Sequence, residues 1–236
     1  MKQVVQFVSS ARAPYYKLSN FHVASITIES EDVPESVLRV NPSVADWIEE
    51  IGEATFPSAE HLWQSLKALN YGTWIKFLED GEFGSLSVDF FAKVVLQTSR
   101  KNPNYDKWEA AQSKVRYWSS KNSVGIVACM AVNKTNRRKL GLTDDDIDYS
   151  SEDMDIDTLQ DIWHFIHLAK YGQNPGLKEI LLGTGNAYLL EFDKSAQRLA
   201  NADKEAFWGG MLIGDLVVGR NMMGKMLMTA RDSLNE

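Results

Sequence analysis

Pro57-Ser58-Ala59-Glu60-His61-Leu62-Trp63-Gln64-Ser65-Leu66-Lys67 reads as the start and body of a helix. Ser58 is a good N-cap, and Pro57 before it cannot continue an earlier helix. Ala59, Leu62, Trp63 and Leu66 recur at helical spacing and form an apolar face. Glu60 and Lys67 stand about two turns apart, so both lie on or beside that face. An apolar setting raises a carboxylate pKa and lowers an amine pKa, which suits acid, base and nucleophile chemistry. The same spacing also fits a surface helix with ordinary charges.

Upstream, residues 3–8 and 22–29 are predicted strands, joined by the turn-rich link 14–21. Residues 30–43 are a predicted loop, with Pro34 and Pro42 as breakers, and a helix is predicted from Ser43 to just before Gly52. Downstream, helices are predicted at 73–80, 86–98, 104–120, 123–139, 157–171, 176–182 and 221–233, with a short strand at 187–192. The acidic stretch 143–157 is a predicted solvated loop. Gly209, Gly210, Gly214 and Gly219 predict a flexible loop. Helices dominate, no repeat or clean linker is visible, and the expected class is α+β, helix-dominated, as a single domain over 1–236.

A chain of 236 residues, 44% apolar and 24% charged, has the composition of a soluble globular protein. Its formal charge is −7. Nine acidic residues and no Lys or Arg fall between Asp144 and Asp161; the 32 acidic residues less these nine leave 23 against 25 basic. The acidity therefore belongs to one segment. No basic patch suited to tracking duplex phosphates is visible, although an enzyme holding one flipped or terminal nucleotide needs none. The start of the chain loosely mimics a signal peptide, but its apolar stretch is too short and holds Gln6, so a first strand is the better reading. No run reaches the roughly 18 apolar residues of a membrane span. The single cysteine, Cys129, lies in the apolar run 124–132, which predicts a buried thiol, a reducing compartment and a cytoplasmic protein.

Three short motifs invite larger claims. Gly219-Arg220-Asn221-Met222-Met223-Gly224-Lys225 matches G-x-x-x-x-G-K, but Met226 replaces the magnesium-binding Ser or Thr and only eleven residues follow Lys225, which rejects a nucleoside triphosphatase. A Gly-rich turn entering a helix still suits a phosphate. His164 and His167 have metal-ligand spacing, but with one cysteine and four histidines in the chain a core or surface pair is the better reading, and no metal is expected. Trp208 beside Gly209 and Gly210, after Asp203 and Glu205, can wall a base or ribose slot; it equally fits a core tryptophan ending a helix.

Taken together, the chain resembles the NADAR family of YbiA-like N-glycosidases, linked by name to NAD and ADP-ribose. The matching pieces are Leu18-Ser19-Asn20-Phe21, Pro57 to Ala68, Lys107-Trp108-Glu109, Leu181 to Thr184, Tyr188-Leu189-Leu190-Glu191, Phe207-Trp208-Gly209, and Gly219 to Arg231. The resemblance implies a helix-rich α+β fold that cleaves an N-glycosidic bond. The substrate it implies is ADP-ribosylated guanine, in a nucleotide or nucleic acid. The alternatives are riboflavin-pathway intermediates, or ADP-ribose binding without turnover. No cofactor, no membrane and no obligate protein partner are expected.

The resemblance also implies roles. Glu60 is the acid or base of the E-H-x-x-Q segment, and Lys67 is its lysine, attacking the anomeric carbon. Asn20 and Phe21 line the ribose or base end. His61 and Trp108 fall in matching blocks as substrate-binding residues, Trp208 and Gly209 form a further wall, and Asn221 and Gly224 approach the diphosphate or ribose. Where the family has Asp three residues before the W-G tryptophan, this chain has Glu205, with Asp203 two residues earlier, so either carboxylate fits the role. Residues 193–204 are longer than the family pattern, and 30–52 and 136–162 read as insertions.

Chemistry agrees with that set. A breaking N-glycoside passes through an oxocarbenium-like state, so the base needs a proton and the sugar carbon needs a nucleophile or a negative charge. A lysine amine can supply the nucleophile and form a Schiff base with the opened sugar.

Overall fold

The computed structural model describes residues 3–8, 13–94, 106–148 and 154–236. In chain order the elements are β1 (Val4–Phe7), β2 (Ile26–Ile28), α1 (Glu35–Val40), α2 (Val44–Ile51), β3 (Ala54–Phe56), α3 (Ala59–Ser65) and α4 (Tyr71–Trp74). Next come α5 (Val88–Val94), α6 (Lys107–Ser119), α7 (Ile126–Val132), α8 (Lys134–Lys139), α9 (Ile156–Gln173) and α10 (Pro175–Leu182). The chain closes with β4 (Tyr188–Glu191), α11 (Ala196–Ala200), β5 (Met211–Ile213), β6 (Leu216–Val218) and α12 (Met222–Ser233). The class is α+β, dominated by helices with a few short strands. The backbone falls into two compact units, Asn20–Ile162, and Met1–Ser19 with Trp163–Glu236.

In the unit Asn20–Ile162, β2 and β3 pair antiparallel, with Ile26 opposite Phe56 and Ile28 opposite Ala54. All four side chains are buried, while Thr27 and Thr55 meet on the other face with their hydroxyls 2.9 Å apart. The period-2 alternation of a strand produces both results. Phe77, Phe83, Phe90 and Phe91 form a chain of edge-to-face rings, packed with Val127, Ala128 and Ala131 of α7. Burying each ring contributes about 1.5–3 kcal/mol relative to exposure. This core backs α3, which packs on α7.

In the other unit, β1 and β4 pair in parallel, Val4 opposite Tyr188 and Phe7 opposite Glu191. Helix α12 packs against β4 with Met222, Met223, Met226, Leu227 and Ala230 buried. Gly224 makes that approach possible: a Cβ there would stand 2.2 Å from the Leu189 carbonyl oxygen.

The structure departs from the sequence expectations in several places. Residues 35–40 are helical rather than loop: Pro34 occupies the N-cap, a position that requires no intrahelical N–H. The predicted strand 22–29 pairs only over Ile26–Ile28. The predicted helix 123–139 is two helices, broken at Asn133, whose side chain caps the second by accepting from Thr135 N–H. The predicted helix 73–80 is a short α-turn followed by a 3-10 turn at Ile75–Phe77. The glycine-rich "flexible loop" is the hairpin β5–β6, turned at Gly214 with φ +59°. Residues 95–98, 104–105 and 149–153 of other predicted segments lie outside the described residues.

Candidate active site

The cap that opens α3 is built twice over. Ser58 Oγ accepts from the His61 backbone N–H at 3.3 Å, and the same hydroxyl meets His61 Nδ1 at 2.7 Å. His61 Nε2 reaches the Phe83 carbonyl at 2.9 Å. A carbonyl only accepts, so Nε2 carries the proton and Nδ1 accepts from Ser58. Burial holds the imidazole pKa down to about 4, so the ring is neutral. With both nitrogens engaged inside the protein, His61 orients the helix start rather than offering a donor to a ligand.

Every residue of α3 is buried, Glu60 among them at 7% exposure. Burial pushes the Glu60 carboxyl up to about 7, against the opposing hydrogen bond from Gln64 and the charge of Lys67. Gln64 Nε2 donates to Glu60 Oε1 at 2.7 Å, the i, i+4 contact that a helix provides. Gln64 Oε1 is buried without a partner. Such an orphan costs about 1–3 kcal/mol, which a ligand hydroxyl or amine would relieve. Gln64 stands in the matching block, and its i, i+4 spacing to Glu60 was the available signal for its role.

Lys67 lies just beyond the last residue of α3 and is 8% exposed. Its Nζ sits 5.2 Å from the Trp63 ring centroid, and its charge acts on both Glu60 and Cys129. The Cys129 thiol is pushed up to about 12, first by burial and then by Glu60. It stays protonated near neutrality and is no nucleophile there. Glu60 and Lys67 are thus two buried ionisable groups of this segment, the roles that the resemblance implies for them being acid or base and nucleophile.

Asn20 and Phe21 belong to the same unit and the same place. The Glu60 backbone N–H donates to the Asn20 carbonyl at 3.2 Å, and Gly125 N–H donates to the Phe21 carbonyl at 3.0 Å. Gly125 leaves no room for a side chain: a Cβ would lie 2.6 Å from Phe21 Cα, 2.9 Å from Ser58 Oγ and 3.0 Å from Glu60 Cβ. Gly125→Ala is therefore expected to push the Phe21 backbone and Glu60 aside, lowering the melting temperature and lowering kcat by about 100-fold. Steady-state kinetics beside a circular-dichroism melt checks this; unchanged kcat would mean the contact is tolerated. Trp108 stands in the first turn of α6, 52% exposed, with Lys107 Nζ 6.0 Å from its ring centroid.

The other residues that the resemblance implies belong to the other unit. Asp203 (φ +53°) and Glu205 are both exposed, and nothing in their setting separates them. Trp208 is 38% exposed and meets Trp163 edge-to-face at 6.1 Å. Gly209 accepts from Asn221 N–H through its carbonyl at 3.1 Å, and a Cβ on it would come 2.7 Å from the Glu191 carbonyl oxygen. Asn221 (φ +50°) is fully buried; its Oδ1 accepts from Glu191 N–H at 3.0 Å, and its Nδ2 donates to the Leu189 carbonyl at 2.8 Å and Tyr188 Oη at 3.0 Å. Asn221 and Gly224 thus tie α12 to β4. Sequence reasoning passed over Lys170, which is wholly buried and donates to the Ser19 carbonyl at 2.9 Å. Burial lowers its pKa to about 7, opposed by Glu191. Its position in an ordinary helical run gave no signal.

Among the described residues, no group of three or more His, Cys, Asp or Glu is placed to hold a metal, and no helix is long and apolar enough to cross a membrane.

A family model for the NADAR domain matches residues 6–235, nearly the whole chain. That family includes N-glycosidases. The NMR structure of the E. coli protein YbiA is similar at 18% identity and a TM-score of 0.43, covering 100% of this chain and 86% of that one. No curated protein matches. With the family pattern running from the first strand through the last helix, the chain belongs to the NADAR family.

Proposed function

We propose that this protein is an N-glycosidase that removes ADP-ribose from guanine, in a nucleotide or a nucleic acid. The observation that carries the reading is Glu60: a buried carboxyl that keeps its proton up to about pH 7, hydrogen-bonded to Gln64, with Lys67 close enough to act on its charge. An acid that is half protonated at working pH can both give and take a proton. A lysine attacks only as the free amine, and a carboxyl that exchanges protons near neutrality can take the ammonium proton.

The steps balance. The Lys67 Nζ lone pair forms a bond to C1 of the ribose, and the C1–N bond to guanine breaks. The bonding pair goes to the leaving nitrogen, which takes the Glu60 proton. The new ammonium returns a proton to Glu60, and the sugar ring opens to a Schiff base, its ring oxygen taking that proton. Water then adds to C1, Glu60 relays its protons, and the C1–Nζ bond breaks to restore the amine. In sum, the hydroxyl of water ends on the sugar and its hydrogen on the base.

The test is product analysis by mass spectrometry with ADP-ribosylated guanine nucleotides and oligonucleotides. Free ADP-ribose and intact guanine product in equal amounts are expected. ADP-ribose binding without release of base from any of them would replace the reading with a non-catalytic reader. Release only from a riboflavin-pathway intermediate would keep the reaction and replace the substrate.

A further inference from the structure

The acidic insertion is not simply solvated, because part of it clasps Lys67. Helix α3 ends at Ser65, so the backbone groups that follow need partners outside the helix. Asp148 N–H donates to the Lys67 carbonyl at 2.7 Å, Ala68 and Ile147 form an antiparallel bridge, and Leu69 N–H donates to the Asp146 carbonyl at 3.0 Å. Three consecutive residues, 67 to 69, are thereby held by three others, 146 to 148. From the other side, Asn41 Nδ2 donates to the Ala68 carbonyl at 3.0 Å.

What holds the clasp is the Asp146 carboxylate together with Ile147, which is buried in the phenylalanine core. Asp146 Oδ1 accepts from Asn70 Nδ2 at 3.1 Å and Thr73 Oγ1 at 3.2 Å. Its Oδ2 accepts from Thr143 N–H and Thr143 Oγ1, both at 2.8 Å. Four donors on one carboxylate leave it little freedom, and they hold its pKa down to about 2. Its anchoring is therefore present above the ordinary aspartate pKa of 3.8 and fades only as pH falls through about 2, well outside any working range. Asp144 adds a second tie through an ion pair with the buried Arg137.

We infer that Asp146 is a positioning residue for Lys67, fixing through the 146–148 clasp where the amine stands relative to Glu60. This rests on Lys67 being the reacting amine, so the test carries one arm that needs no turnover. Asp146→Ala removes all four acceptor contacts; Asp146→Asn keeps one acceptor oxygen and tests rescue. The first readout is the rate at which formaldehyde with cyanoborohydride methylates Lys67, followed by peptide mass spectrometry. Release of the clasp should raise it about fivefold or more in Asp146→Ala, with distant lysines unchanged. The second is base release: kcat should fall about tenfold with KM within twofold, and Asp146→Asn should recover part of it. The third is hydrogen exchange, faster at the Leu69 and Asp148 amides but not at Val127 or Ala128.

Unchanged Lys67 methylation alongside faster exchange at Leu69 would overturn the inference, because the clasp would then open without moving the amine. Equal acceleration of exchange throughout Asn20–Ile162 would also overturn it, leaving Asp146 with a merely structural role. If no substrate is turned over by the wild type, the proposed function fails and the methylation arm still decides the clasp.

Discussion

Lys67→Ala loses base release by about 1,000-fold or more, and Lys67→Arg loses nearly as much. The two substitutions together separate chemistry from binding. An arginine keeps the positive charge and the stem, so a lysine that only held a phosphate would be partly replaced by it. A guanidinium stays protonated and cannot attack C1, so a nucleophile would not be replaced. Lys67 is only 8% exposed and its Nζ lies over the Trp63 ring, so alanine also empties buried space. Lys67→Met controls for this: it fills the same space and should be equally inactive while melting near the wild-type temperature. Single-turnover release of guanine product is the measurement. Arginine activity within tenfold of wild type would assign Lys67 to binding and leave the carboxylates as the working groups.

Glu60→Gln gives the second large effect, and its sign differs between activity and stability. The Glu60 carboxyl has a folded pKa of about 7 against 4.5 for an ordinary glutamate. The folded protein therefore holds this proton more tightly than the unfolded chain. That advantage is fully present below pH 4.5 and is lost as pH rises through about 7. The shift corresponds to about 3 kcal/mol. Glutamine is neutral at every pH, so the variant should gain about 2.5 kcal/mol on wild type between pH 5 and pH 8 in urea unfolding. Its activity should move the other way, falling about 100- to 10,000-fold with the loss of proton transfer. The wild-type rate should decline above about pH 7, where Glu60 has no proton to give, and that limb should be absent in the variant's residual rate. A variant that is both less stable at pH 8 and fully active would remove Glu60 from the chemistry.

The helix that carries this pair was legible because its signals are local. Ser58 as cap, the apolar spacing of Ala59, Leu62, Trp63 and Leu66, and the i, i+4 relation of Glu60 and Gln64 all lie within nine residues. The burial of Glu60 was legible only as one of two readings, since the same spacing fits a surface helix. It depends on Gly125 and Phe21, brought to α3 from distant parts of the chain. The parallel pairing of β1 with β4 joins residues near opposite ends, and no local pattern encodes such a partner. Composition misled where glycine serves geometry: Gly214 turns a regular hairpin. It misled again at the acidic segment, where Asp146 reads as a solvated charge. A carboxylate that accepts four hydrogen bonds looks the same in sequence as one that accepts only water.

The Schiff-base account is tested most directly by adding borohydride during turnover of an ADP-ribosylated guanine nucleotide, then mapping the protein by mass spectrometry. The account predicts a reduced ADP-ribosyl adduct on Lys67, with guanine product released alongside it, and no adduct when borohydride is added before substrate is bound. Continued release of guanine product with Lys67 unmodified would contradict it and leave direct attack by water, guided by the carboxylates, in its place.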